Sequence, residues 1–222
     1  GYYLRKPIKG LNHDRLIDCL LDGIDWRGGE ATGMALFGPD GLLDHQRAGA
    51  DAKVFSMHRR MAHRDTRIAL LHTRLATQGH PAFVENNHPV VNQGVFVTHN
   101  GHVSNDRELW YEVGTEKRRA DVDSEIIPAI IAQHGWEDAA KALEKIEGSM
   151  AIAAVHQDYP DELILAKGEQ SPLIYAYTDT ILVWASTEIA LMNAWGKAIG
   201  TPPKARRLKQ LKLGDECPNI VA

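Results

Sequence analysis

From residue 149 onward, short apolar runs follow one another in quick succession: "SMAIAAVHQ", "ELILAKG", "PLIYAYT" and "TILVWAST". Each has strand length, is rich in β-branched and aromatic residues, and is bounded by polar turn residues. The first half of the chain supplies further strands in "YYLRK", in "TGMALFGPDGLLDHQRA" around a Pro-Asp-Gly turn, and in "RIALLHT" and "GVFVTH". Helical spacing is confined elsewhere. "NHDRLIDCLLDGIDW" carries a core stripe of Leu16, Ile17, Leu20, Leu21 and Ile24 behind Asn12 as cap. "NDRELWYEV", "DSEIIPAIIAQHG" and "WEDAAKALEKI" fill the middle, with Pro128 early enough to sit in a first turn. "STEIALMNAWGKA", capped by Ser186 or Thr187, precedes a last strand in "RRLKQLKLGDE". Strands early, helices in the middle and strands late predict a mixed, layered domain instead of alternating βαβ units. With no repeat, low-complexity segment or linker, residues 1–222 read as one domain.

Composition excludes several function classes. The chain has 222 residues, 44% of them hydrophobic and 24% charged, which is ordinary for a globular protein. A net charge of −4 leaves no electrostatic footprint for nucleic acid. The one basic stretch, "KARRLKQLK" at 204–212, alternates with apolar residues and is expected to be the solvent face of a strand. No apolar run approaches the ~18 residues of a membrane span, and no signal peptide is visible. Cys19 and Cys217 lie far apart and outside any CxxC spacing, so a disulfide framework is not expected and a cytoplasmic setting is. Cys19, one residue off the core stripe of its helix, reads as a small half-buried thiol.

The histidines are unevenly placed. Of 11 in the chain, His72, His80, His88, His99 and His102 fall between residues 72 and 102. None sits in an HxxxH or HExxH helical spacing, and Glu85 is the carboxylate among them, so neither a metal nor a cofactor is expected. A metal-dependent hydrolase remains the reading that bound stoichiometric metal would support. The segment 73–93 is also long for a structureless connection in a compact domain, which marks it as functional or disordered.

Within this region "FVTHNGHVSN", residues 96–105, carries an Asn-Gly pair, the strongest short hairpin cue. The second arm is too short for a hairpin, because Ser104 and Asn105 open a helix cap with Glu108 three residues after Asn105. The strand is therefore expected to end at Asn100 and Gly101.

Taken together, "WRGGEATG" at 26–33, "HTRLATQG" at 72–79, "NNHPVV" at 86–91, "HNGHVSN" at 99–105 and "DSEII" at 123–127 resemble, in order and spacing, the glutaminase domain of class II glutamine amidotransferases. These are N-terminal-nucleophile hydrolases. "GSMAIAAV", "SPLIYAY" and "WASTEIAL" resemble the family's second sheet and the helix after it, so the likeness spans nearly the whole chain. It implies an α+β fold, a four-layer αββα sandwich of two mostly antiparallel sheets.

The resemblance also implies a glutamine pocket. Arg74 matches the arginine that clamps the substrate α-carboxylate, a task suited to a planar guanidinium fork. Asp123 matches the aspartate that holds the α-ammonium, although an Asp opening a helix is also a common cap. Asn100 and Gly101 match the oxyanion hole, each donor being worth roughly 3–4 kcal/mol to a transition state. Arg27 and Gly28 match a positioning pair lying against the nucleophile's strand. Thr77 and His88 match positions that line the substrate loop in a supporting role.

The family's nucleophile is an N-terminal cysteine whose own α-amine shuttles the proton. Its opening motif is Cys-Gly-Ile-x-Gly, and Gly1 aligns with the last glycine, which would place the cysteine just ahead of Gly1. Cys19, in mid-helix, has no α-amine to act as base. Two readings follow: a glutamine-hydrolysing domain feeding ammonia to a separate synthase domain or subunit, or an inactive binding and assembly module lacking the nucleophile.

Overall fold

The computed structural model describes residues 1–168, 170–200 and 209–210. In chain order the first elements are β1 (Tyr2–Leu4), α1 (His13–Asp25), β2 (Ala31–Gly38), β3 (Gly41–Ala48), α2 (Ala52–His58) and β4 (Ile68–Arg74). Next come β5 (Val90–Asn92), β6 (Val95–Val103), α3 (Asp106–Val113), α4 (Ile126–His134) and α5 (Ala139–Leu143). The chain continues through β7 (Gly148–His156), β8 (Tyr159–Lys167), β9 (Ile174–Tyr177), β10 (Ile181–Ala185), α6 (Glu188–Ala194) and β11 (Lys209–Gln210). Apart from Lys209 and Gln210, the expected last strand, the basic stretch and Cys217 lie outside the described residues.

The strands form two antiparallel sheets. One has the order β11-β9-β10-β1-β4-β2-β3 and the other the order β5-β6-β7-β8. Alternation along each strand assigns its side chains to the layers. In β2, Met34 and Leu36 join Leu16, Ile17, Leu20 and Leu21 of α1, while Ala35 and Phe37 face the opposite sheet. In β7, Ala151, Ala153 and Val155 meet that inter-sheet core, and Met150, Ile152 and Ala154 pack on α4 through Ile126, Ile127 and Ile130. Three apolar cores between four layers make an αββα sandwich. Strands apolar on both faces are the reason the late runs looked continuous in sequence.

Local signals act as expected at several points. Asn12 caps α1 by accepting from the Arg15 N–H at 2.9 Å, and Thr187 caps α6 by accepting from Ala190 at 3.2 Å. Cys19 is a half-buried free thiol whose pKa burial pushes up. The helix predicted over 136–146 is shorter, a 3₁₀ turn at Trp136–Asp138 followed by α5.

Two expectations are corrected. β6 does not end at Asn100 and Gly101 but pairs with β7 through Val103, opposite Gly148. Asn105 stands at the N-cap position of α3 without capping it. Its amide accepts from Glu147 N and donates to the Lys145 carbonyl, tying the turn before β7 to the end of β6. That turn supplies the partner strand which carries β6 onward.

Gly28 shows why a small residue follows α1. A Cβ there would overlap the backbone of Arg74 and Leu75 at the end of β4. The close approach is therefore to β4, the strand that pairs with β1. Gly28→Ala is expected to cost roughly 1–3 kcal/mol by overpacking, read as a lowered urea midpoint, together with a weaker grip of Arg74 on its ligands.

Candidate active site

A cavity of about 420 Å³, within the usual ~300–1,000 Å³ of small-molecule sites, is lined by residues of both sheets. Residues far apart in sequence line it: Gly1, Arg27, His72, Arg74, Thr77, Gln78, His88, His99, Asn100, Gly101, His102, Asp123, Ser149 and Trp184 among them. Every site residue read from the sequence lines this cavity except Gly28, which lies beneath it against Arg74.

Gly1 extends the pairing of β1 with β10, its N–H donating to the Trp184 carbonyl at 2.8 Å and its carbonyl accepting from Trp184 N at 3.0 Å. It is buried against the cavity wall. The start of β1 thus points at the same space as Asn100.

Asn100 and Gly101 lie on β6 opposite Ala151 and Met150. The Asn100 Nδ2 is buried and has no hydrogen-bond partner. A buried donor left unpaired costs about 1–3 kcal/mol, and this one borders the cavity. Gly101 has φ +152°, and a Cβ there would overlap the Ser149 carbonyl, so no side chain fits.

His99, between these residues and α4, sets local protonation. Burial pushes its pKa down, so the ring is neutral. Its Nε2 lies 3.1 Å from the Ser149 carbonyl, which only accepts, so the proton is on Nε2. Nδ1 then accepts from the Ser124 hydroxyl at 2.9 Å. That hydroxyl has one proton, so its 3.4 Å contact with Asp123 Oδ1 leaves this carboxylate oxygen open to a donor from the cavity. The other oxygen, Oδ2, accepts from Val103 N at 2.7 Å. Asp123 stands in the 3₁₀ turn Asp123–Glu125 and makes no cap of its own. Its carboxylate is buried, 7% exposed, and faces the cavity.

Arg74, at the end of β4, is buried. Its Nη1 donates to Asn87 Oδ1 at 3.1 Å, and its Nη2 donates to the Gly79 carbonyl at 2.9 Å and to the Gln78 carbonyl. Two of a guanidinium's five N–H groups remain beyond these bonds. The arginine therefore builds the rim loop as well as bringing positive charge to the cavity. Asn87 and Asn86 fasten the same loop by donating to the Pro81 and His80 carbonyls. The 73–93 stretch is thus an ordered wall. Sequence reading missed Asn87 as the partner of Arg74. The available signal was an Asn-Asn pair in a loop that must satisfy its own backbone.

His88 is buried, with neither ring nitrogen hydrogen-bonded, and its ring lies 4.3 Å from that of His72. Burial, reinforced by neighbouring imidazoles and Arg74, pulls His72 down to about 3 and His88 well below its ordinary value. Both are neutral packing rings at the cavity floor. Arg27 and Thr77 are exposed at its rim. Among the described residues no group of three His, Cys, Asp or Glu side chains is placed to hold a metal ion.

Residues 72–193 match the model of the glutamine amidotransferase domain. The chain belongs to this family. The matched span carries Arg74, Asn100, Gly101 and Asp123. The amidotransferase domain is 32% identical over 181 residues to glutamine–fructose-6-phosphate aminotransferase (isomerizing) of Acinetobacter baylyi, covering 75% of this chain and 29% of that protein. It is 29% identical over 232 residues to the protein of the same name from Nostoc sp., covering 90% of this chain and 37% of that one. The chain thus spans about a third of the length of these relatives.

Its fold is that of glutamine phosphoribosylpyrophosphate amidotransferase from B. subtilis, with a TM-score of 0.68 at 18% identity over 91% of this chain and 47% of that one. An allosteric regulatory enzyme of purine biosynthesis superposes with a TM-score of 0.64 at 15% identity, covering 90% and 46% of the two chains. The αββα architecture expected from the motifs is the one observed. No helix among the described residues is long and apolar enough to cross a membrane.

Proposed function

We propose that the chain, as one domain, binds L-glutamine in this cavity and hydrolyses it to glutamate and ammonia for an acceptor site outside the chain. The observation that carries the reading is the buried, unpartnered Asn100 Nδ2 beside Gly101, in a cavity that also holds one open carboxylate oxygen and one guanidinium. Asp123 Oδ1 takes the α-ammonium and Arg74 attracts the α-carboxylate, which directs the side-chain amide toward Asn100. A cysteine preceding Gly1 supplies the thiolate. It attacks the amide carbon, the oxyanion is held by Asn100 Nδ2 and the Gly101 N–H, ammonia leaves, and water hydrolyses the thioester.

Gly28 holds the end of β4 in place, Arg27 and Thr77 shape the rim, and His88 packs the floor as a supporting group. The chemistry calls on no cofactor or metal. The relatives' names couple glutamine to fructose 6-phosphate, so a synthase domain or subunit taking up ammonia is the partner proposed, in a cytoplasmic setting.

Intact-mass and N-terminal sequencing of the natural protein, followed by labelling with a diazo-ketone glutamine analogue, tests the reading. A cysteine N-terminus that takes one equivalent of label supports it. An N-terminus without cysteine, with no glutaminase activity, leaves a binding module. Arg74→Lys is expected to raise KM for glutamine at least about tenfold with a smaller change in kcat, because a point charge replaces a planar fork that also ties the rim loop.

A further inference from the structure

His102 follows the Asn-Gly pair on β6, and its side chain, 61% exposed, stands at the cavity mouth with Nδ1 2.9 Å from Asp123 Oδ2. Its backbone is fixed, because its N–H donates to Ser149 Oγ at 3.1 Å and the strand pairing with β7 holds it in register. The ring also lines a neighbouring hollow with Thr77, Gln78, Asp106 and Arg107. Resting on the assignment of Asp123 as the ammonium anchor, we propose that His102 is a positioning residue that sets glutamine affinity through Asp123, supporting the carboxylate when neutral and competing with the substrate ammonium when protonated.

The charges around this ring make the competition specific. From the 3₁₀ turn, Asp123 is the carboxylate that both His102 and the ligand would share. From the start of α3, Asp106 and Arg107 face the hollow, and Asp106 is already near Arg118 at 3.9 Å. From its own strand, His99 is held neutral by burial, and from β4 Arg74 is positive throughout. The rim loop and β7 present Thr77, Gln78 and Ser149, which do not titrate. His88, buried, and His72, half-buried, are neutral. The exposed imidazole of His102 is therefore the cavity-lining histidine in direct contact with the Asp123 carboxylate.

A neutral ring with its proton on Nδ1 donates to Oδ2, orients the carboxylate and leaves Oδ1 for the ligand. A protonated ring adds a positive charge within reach of that same site. The incoming ammonium then meets a carboxylate that is already neutralised and a like charge beside it. A ligand with a carboxylate and a side-chain amide but no ammonium escapes this repulsion.

Calorimetric titration of the full chain between pH 7.5 and 5.5 tests the proposal, with L-glutamine and with its des-amino analogue 4-carbamoylbutanoate as probes. The dissociation constant for glutamine is expected to rise about tenfold as pH falls, the size of one coupled protonation, while that for the des-amino analogue stays within about twofold. In His102→Gln, which keeps a neutral donor for Asp123, and in His102→Ala, the glutamine profile is expected to flatten.

Asp123→Asn separates the two levels of the argument. If that variant binds glutamine as tightly as the native protein, the anchor assignment fails and the proposal falls with it. If Asp123→Asn weakens glutamine but not the des-amino analogue, the anchor stands. An unflattened His102→Gln profile would then overturn the role of His102 alone, as would an equal loss of affinity for both probes in the native protein.

Discussion

Asn100→Ala is expected to lower kcat for glutamine hydrolysis by about 10²–10³-fold, the usual effect of deleting one oxyanion donor. It is expected to leave the thermal midpoint unchanged or slightly raised. Most buried amides lose a hydrogen bond on truncation, but the Nδ2 here has no partner within the protein. KM should move little, because the donor acts on charge that develops only after attack. Steady-state kinetics with a differential scan of the same preparation checks both halves. A fall in kcat matched by a fall in stability would reassign Asn100 to the fold, and an unchanged kcat would remove it from the chemistry.

Acidification is expected to destabilise the domain well above the pH at which carboxylates titrate. An unfolded histidine binds a proton near pH ~6.5, whereas burial holds native His72 down to about 3 and His88 well below its ordinary value. As pH falls through this window the unfolded chain takes up protons that the native state refuses, so stability is lost with decreasing pH. Each such histidine contributes about 1.4 kcal/mol per pH unit. Two units below the unfolded pKa, His72 alone is worth about 3 kcal/mol, and His88 adds in the same direction. His45, lowered by burial to about 4, acts in the same sense. Urea midpoints at pH 7 and pH 5 should differ strongly, and a His88→Leu variant should narrow the gap. Equal midpoints at the two pH values would show that these rings are protonated in the native state.

Much of the fold was legible in the sequence because its signals are local. The alternation of Met34 and Leu36 with Ala35 and Phe37 needs only the two-residue period of a strand. The Asn12 and Thr187 caps need only a short polar side chain ahead of a helix. The course of β6 after Asn100 was misread for the opposite reason. Asn-Gly is a turn signal in isolation, yet here the turn before β7 brings Gly148 opposite Val103, and pairing carries the strand onward. Asn105 was misread in the same way, since a partner distant in the chain captured an amide whose local role is capping.

The sequence by itself determined the strand and helix periods, the order of the motifs and the residue types that meet glutamine chemistry. Tertiary structure decided which of their atoms are free. Asn100 faces the cavity through its register with Ala151, and a slip of one residue would turn it to the helix side of the sheet. Oδ1 of Asp123 is open because the single Ser124 proton goes to His99, whose tautomer is fixed by Ser149 some fifty residues away. His102 meets Asp123 because β6 and the turn before α4 are packed side by side. Hydrogen-bond capacity belongs to the residue type, but its allocation depends on neighbours supplied by the whole fold.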